Sequence, residues 1–156
     1  MKPVAALAFA ATVAAASTAM ACPNWQLAPA FGTIQLIEGF PQDPYARSIT
    51  AGGRYALANC FPGYNFRGSV AQKPDFDVHY STSGASSLTF IVDSPYDTML
   101  LVNDPNGQWW FDDDSFGGQN PQITIRNAPA GLYDVWIGSY QGGSGLPGTL
   151  YISERY

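Results

Sequence analysis

The 156-residue chain carries a formal net charge of −5, with 12 acidic residues against 7 basic ones. That balance argues against nucleic acid as a partner, because phosphate contacts call for a surplus of Lys and Arg. The length suits one domain with a full core once a short leader is set aside, since domains commonly run ~100–150 residues.

Met1-Lys2-Pro3 opens the chain and an apolar, Ala-rich run extends from Val4 to about Ala16. Ser17-Thr18-Ala19-Met20-Ala21 then places small residues where a signal peptidase reads. Residues 1–21 are therefore expected to be a signal peptide cleaved before Cys22, and residues 22–156 a single domain, secreted or periplasmic. The apolar run is too short to favour a membrane span of ~20 residues. Without the leader, six basic and twelve acidic residues remain, a formal net charge of −6. Cys22 and Cys60 are the two cysteines, and in an oxidising compartment one disulfide between them is the simplest account. A second reading stays open: a lipid anchor on Cys22, which leaves Cys60 as a free thiol. Against it, Ala19 stands where lipoprotein signals usually carry Leu, and Met20 is unusual in the next position.

Beyond residue 21, Gly, Pro, Asn and Ser interrupt the chain before a 3.6-residue period can persist, so strands are expected rather than helices. Gly32–Phe40 and Ser48–Asn59 are the first two, joined by Pro41-Gln42-Asp43-Pro44. Asp75–Ser81 and Ser87–Asp93 follow; in the latter, Leu88, Phe90 and Val92 alternate with Thr89, Ile91 and Asp93, the period-two pattern of a half-buried strand. Thr98–Asn103 and Gln108–Asp112 flank Asp104-Pro105-Asn106-Gly107, whose Asn-Gly pair predicts a tight hairpin with positive φ angles. Gln122–Arg126, Leu132–Tyr140 and Gly148–Glu154 complete the set, with Tyr133, Val135 and Ile137 sharing one face and Trp136 on the other. About eight or nine short strands without an internal repeat predict an all-β fold, a two-sheet antiparallel β-sandwich of jelly-roll type.

Asp97-Thr98-Met99-Leu100-Leu101-Val102, and later Ala130-Gly131-Leu132-Tyr133-Asp134-Val135-Trp136-Ile137 followed by Ser139-Tyr140 and Gly142-Gly143, carry a family resemblance. They resemble the Asp-x-Asp-Leu-x-Val and Gly-x-Tyr-x-Val strands of the bacterial pre-peptidase C-terminal (PPC) domains, β-sandwich modules of secreted proteins related to clostridial collagen-binding domains. Met99 departs from the second Asp of that pattern, which weakens the transfer of a metal site. Trp109-Trp110-Phe111-Asp112-Asp113-Asp114 is similar to a Trp-Tyr-Cys-Asp-Asp-Asp segment of exported single domains in Gram-negative bacteria. Phe111 stands where those relatives place a cysteine, which the resemblance pairs with the one matching Cys60. The resemblance thus implies that Cys22 has taken over as partner, and that the domain is non-catalytic.

Three constellations could carry chemistry. His79, the lone histidine, lies in Asp75-Phe76-Asp77-Val78-His79-Tyr80, where alternation predicts a solvated polar face of Asp75, Asp77 and His79. A weak metal patch there is the sharper reading. A hydrolytic triad needs a nucleophile beside a base, and no serine stands in a Gly-x-Ser-x-Gly context. Asp112, Asp113 and Asp114, with Ser115, Asn103, Asp104 and Asp97, form the densest oxygen cluster and a candidate Ca2+ site, because calcium takes ~6–8 oxygen ligands. The bland reading of that cluster is a solvated acidic turn. Trp109, Trp110, Trp136 and Tyr140 form a candidate ligand-binding face, with Tyr151 nearby in type; exposed aromatics beside carboxylates stack on sugars or grip proteins. The expected function is an exported non-catalytic module that binds a protein, polysaccharide or cell-surface ligand. A self-assembling envelope component is the alternative, and a secreted hydrolase or protease-associated domain comes third.

Overall fold

The structure, a computed structural model, describes residues 22–156; the expected signal peptide lies outside the described residues. The chain forms β1 (Thr33–Ile37), β2 (Tyr45–Gly53), β3 (Tyr55–Ala56), the single helical turn α1 (Leu57–Cys60), β4 (Ser69–Val70), β5 (Phe76–Ser81) and β6 (Leu88–Asp93). It continues with β7 (Thr98–Asn103), β8 (Trp109–Asp112), β9 (Gln122–Ile125), β10 (Gly131–Ser139) and β11 (Gly143–Ser153). These strands make the expected two-sheet β-sandwich. In the larger sheet β10 is central, with β7 and then β8 on one edge and, on the other, β5 followed by β1, while β4 and β3 continue along that same edge. The smaller sheet runs β2-β11-β6-β9. All pairings are antiparallel except β1 with β5, which makes the larger sheet mixed.

The segment expected as one strand from Ser48 to Asn59 is divided. Gly52 and Gly53 adopt φ of 134° and 156°, and a Cβ at Gly53 would run into the Val70 backbone, so the chain turns there into β3 and α1. No side chain caps this helical turn. It is held by Leu57, which is buried, by the Leu57 amide donating to Gly68 O at 3.0 Å, and by the Phe61 amide donating to Leu57 O at 3.0 Å. β3 and β4 have two residues each, too few for a period-two pattern to show.

Alternation builds the sandwich core. Ile34, Leu36, Val78, Tyr80, Val102, Tyr133, Val135 and Ile137 from the larger sheet meet Ile49, Leu88, Phe90, Val92, Ile123, Leu150 and Ile152 from the smaller. Phe90 and Tyr133 span the two layers with ring centroids 5.8 Å apart. Each fully buried aliphatic or aromatic side chain contributes about 1.5–3 kcal/mol, so this layer supplies most of the stabilisation.

β10 is also buried on its other face. Trp136, Met99 and Leu101 pack there under Leu57 and Val70, with Phe61, Phe66, Trp109 and Phe111 at the margin. A cap made from residues 54–72 and the N-terminal segment covers this face. Cys22 and Cys60 are disulfide-bonded, with Cα atoms 5.5 Å apart, which ties the two parts of the cap together. The Asn24 and Ala30 amides donate to Gln72 O and Pro74 O at 2.7 Å each. Gly138 lets the cap approach, because a Cβ there would collide with Met99 Sδ and Ser69 O.

Because the disulfide closes a loop with a sequence separation of 38, reducing it should lower stability by about 3–4 kcal/mol in the chain-entropy model. Chemical denaturation with and without reductant checks this. Loss of Trp109 fluorescence burial before global unfolding is the expected sign that the cap detaches first.

Candidate functional site

The outer face of the larger sheet carries the site, at the end that the cap leaves open. On β10 the outward residues are Leu132, Asp134 and Trp136; on β5 they are Asp77 and His79; on β7, Asn103 and Leu101. Asp134 stands opposite Asp77 on β5 and opposite Asn103 on β7. A cleft of about 610 Å³ opens here, with Asp134, Asn103 and Asp104 on its polar side and Trp25, Trp109 and Leu132 on its apolar side. Pro105 and Gly107 form its rim.

The β7–β8 turn shapes one wall. The Gly107 amide donates to Asp104 O at 2.8 Å and the Asp104 amide to Gln108 O at 2.9 Å, with Gly107 at φ 78°. This is a three-residue hairpin loop with glycine in the left-handed position; of the expected Asn-Gly pair, only Gly107 takes the positive φ. Asp104 is buried inside the turn, where Oδ1 accepts from the Asn106 and Gln108 amides at 2.9 Å each. Its Oδ2 accepts from Trp110 Nε1 at 3.0 Å, so this carboxylate orients both the turn and a tryptophan.

Asp134 is 4% exposed, and its Oδ1, like Asp77 Oδ1, is buried without a hydrogen-bond donor. Two such carboxyls side by side are satisfied by one shared proton. Burial, then the neighbouring Asp77 charge, raises Asp134 from 3.8 to about 7. Burial also raises Asp77, opposed by the Asp134 hydrogen bond and the His79 charge. Asp75 differs: it is 5% exposed, and its Oδ2 accepts from the Ile137 amide at 2.6 Å. It thereby fills the gap in the ladder where β10 passes from β5 to β4. Burial raises it to about 7, against the Ile137 hydrogen bond.

Several sequence expectations are corrected by this geometry. Asp75, Asp77 and His79 are not one solvated face: Asp75 is buried, Asp77 joins Asp134, and His79 alone is exposed, between Gln35 and Leu132 in the ladder. Trp136 is fully buried, with its ring 5.4 Å from that of Trp109. It is therefore part of the cap interface rather than of an exposed binding face. Trp110 packs against the sandwich core, and Tyr140 lies at the opposite end of β10 beside Gly68 and Gly142. Of the four aromatic candidates only Trp109 reaches the cleft, where it is joined by Trp25, which sequence reasoning missed. Trp25 has no periodic neighbour to mark it; only the nearby Cys22 pointed to that segment being fastened to the domain.

The five acidic candidates do not converge. Among the described residues no group of three or more His, Cys, Asp or Glu side chains is arranged to hold a metal. Asp97 accepts from the side-chain amides of Gln119 and Gln141 at 3.3 and 3.1 Å. Asp112 accepts from the Ser115 and Gln122 amides at 2.9 and 2.8 Å and from Ser115 Oγ at 2.6 Å. Asp113 is raised by burial and by the Asp114 and Asp112 charges.

No family model matches the chain, and no curated protein matches it. Among solved structures, the crystal structure of Aeromonas hydrophila PliG, a periplasmic inhibitor of g-type lysozyme, is similar at 14% identity with a TM-score of 0.36. The match covers 78% of this chain and 96% of that one. A likeness at this level transfers no residue role.

Two outcomes follow from the carboxyl pair and the buried ring. Between pH 3.8 and about 7 the unfolded chain ionises while folded Asp134 keeps its proton, so folding takes up protons and stability falls as pH rises through that window. Asp134→Asn keeps a donor for Asp77 and removes the second acid. It should stabilise the fold at pH 8 by on the order of 2 kcal/mol and flatten the decline between pH 4 and pH 8. Urea denaturation across pH measures both, and an unchanged profile contradicts the pairing. Trp136→Ala should cost about 3–5 kcal/mol in the same assay, a loss that an exposed ring would not produce.

Proposed function

We propose that the protein is an exported, non-catalytic binding module that seats its ligand in the cleft between the N-terminal segment and the β7–β8 turn. The observation that carries this reading is the cleft itself. Aromatic and apolar walls with a few convergent polar groups, one of them strained by burial, are what a binding pocket requires. Trp25 is 52% exposed and Trp109 is half-buried, so two indole faces are offered at low entropic cost. Asp104 is locked by three donors, and the disulfide holds the Trp25 segment against the sheet, so the walls are preorganised before a ligand arrives.

Export is supported by two features. The residues before Cys22 have the pattern of a signal peptide, and the Cys22–Cys60 disulfide suits an oxidising compartment. A sulfur engaged in that bond cannot also carry a lipid, which favours a soluble periplasmic or secreted form over an anchored one. No helix among the described residues is long and apolar enough to cross a membrane.

Ala130→Trp, at the exposed rim of the cleft, tests the reading without touching the core. Peptide and oligosaccharide panels that bind the parent protein should lose at least tenfold in affinity with this variant. Binding that is indifferent to the filled cleft, while the variant's melting temperature is unchanged, places the ligand elsewhere and defeats the proposal.

A further inference from the structure

Asp134 in the cleft wall and Asp77 beside it in the sheet narrow the chemistry of what the cleft takes; this step rests on the binding reading above. Asp77 Oδ1 and Asp134 Oδ1 are both buried and both lack a donor, and Asp134 lines the cleft. Oxygen acceptors without donors are completed either by a proton or by a ligand that brings donors and positive charge. A sugar hydroxyl offers one donor and no charge, and leaves two neighbouring carboxylates repelling each other. A guanidinium offers five donors, no acceptor and one positive charge. Its planar face also stacks on indole, and Trp25 and Trp109 stand at that wall.

We propose that the cleft is a proton-linked anchor for an arginine side chain of a partner protein, whose guanidinium displaces the proton shared by Asp77 and Asp134. In the empty cleft the pair holds one proton and one negative charge. When the guanidinium hydrogen-bonds to Asp134, that carboxyl becomes fully ionised and its proton passes to solvent. One positive charge enters as one proton leaves, so the charge of the site is unchanged. The other titratable groups on the surrounding elements are Asp75 just before β5, His79 and Tyr80 on β5 and Asp104 on the β7–β8 turn; Asp75 is held by the Ile137 amide, Tyr80 of β5 and Tyr133 of β10 face the core, and β1, β7 and residues 22–31 contribute none. His79 is exposed and Asp104 is occupied by the turn, so the shared proton is the one the ligand competes with. The excess of acidic residues adds a long-range attraction for a basic partner.

Isothermal titration of the purified protein with N-acetyl-L-arginine amide, which presents arginine as a peptide does, tests this. The neutral citrulline analogue serves as control. Affinity should rise about tenfold from pH 6 to pH 8, because one proton must leave. Titrations in two buffers of different ionisation enthalpy should show release approaching one proton at pH 6. The citrulline analogue should bind at least tenfold more weakly, and Asp134→Asn should abolish both the pH dependence and the preference for arginine. Equal affinity at the two pH values, equal binding of citrulline, or no measurable binding overturns the proposal. Such a failure is separable from failure of the binding reading, which is decided by whether Ala130→Trp removes the ligands found on the panels.

Discussion

The constraint from which the rest of this structure follows is that β10 is buried on both faces. Tyr133, Val135 and Ile137 point into the sandwich, while Trp136 points the other way and is equally buried. A strand of this kind in an antiparallel sheet needs a second cover, because one face of such a sheet otherwise meets water. The cap over Trp136 is that cover, and the features that look odd in isolation serve it. Gly138 makes room for it, α1 exists to bury Leu57 under it, and the disulfide holds its two pieces together. Asp75 repairs the ladder where β10 changes partner beneath it.

The cleft is what remains where the cover stops. Trp136 is closed over by the aromatic cluster of Phe61, Phe66, Trp109 and Phe111, whereas Asp134, two residues earlier on the same face, lines the cleft. Apolar packing would have been the cheaper solution at that position, as replacing buried ionic groups with hydrophobes is often neutral or stabilising. A buried acid facing a second acid lowers stability at neutral pH, and such pairs concentrate at functional sites. That cost, set on rigid strands rather than on a loop, is the physical reason for locating function here.

Period-two alternation made the larger part of the fold legible. Leu88, Phe90 and Val92, and Tyr133, Val135 and Ile137, point inward as their spacing says, although β6 is not half-buried as expected, since Thr89 and Ile91 on its other face are buried too, and the pairing of the two cysteines needed only their number. The site was harder to read. Trp136 looked like an exposed ring because alternation reports which residues share a face, not whether a second layer lies on that face. The cap that covers it has no strand longer than two residues and leaves no periodic signature. Asp112–Asp114 drew attention as a run of charge, yet Asp112 is engaged by Ser115 of the adjoining turn and by Gln122. The pair that matters, Asp77 and Asp134, is separated along the chain and meets only through the β5–β10 register.

The central claim is that Asp134, buried in the wall of the cleft, shares a proton with Asp77, its neighbour on β5. Carbon-13 NMR titration of the aspartate side-chain carboxyls addresses it most directly. The account predicts that Asp134 titrates near 7, with a coupled response at Asp77. An Asp134 carboxyl that titrates in the ordinary carboxylate range would contradict it.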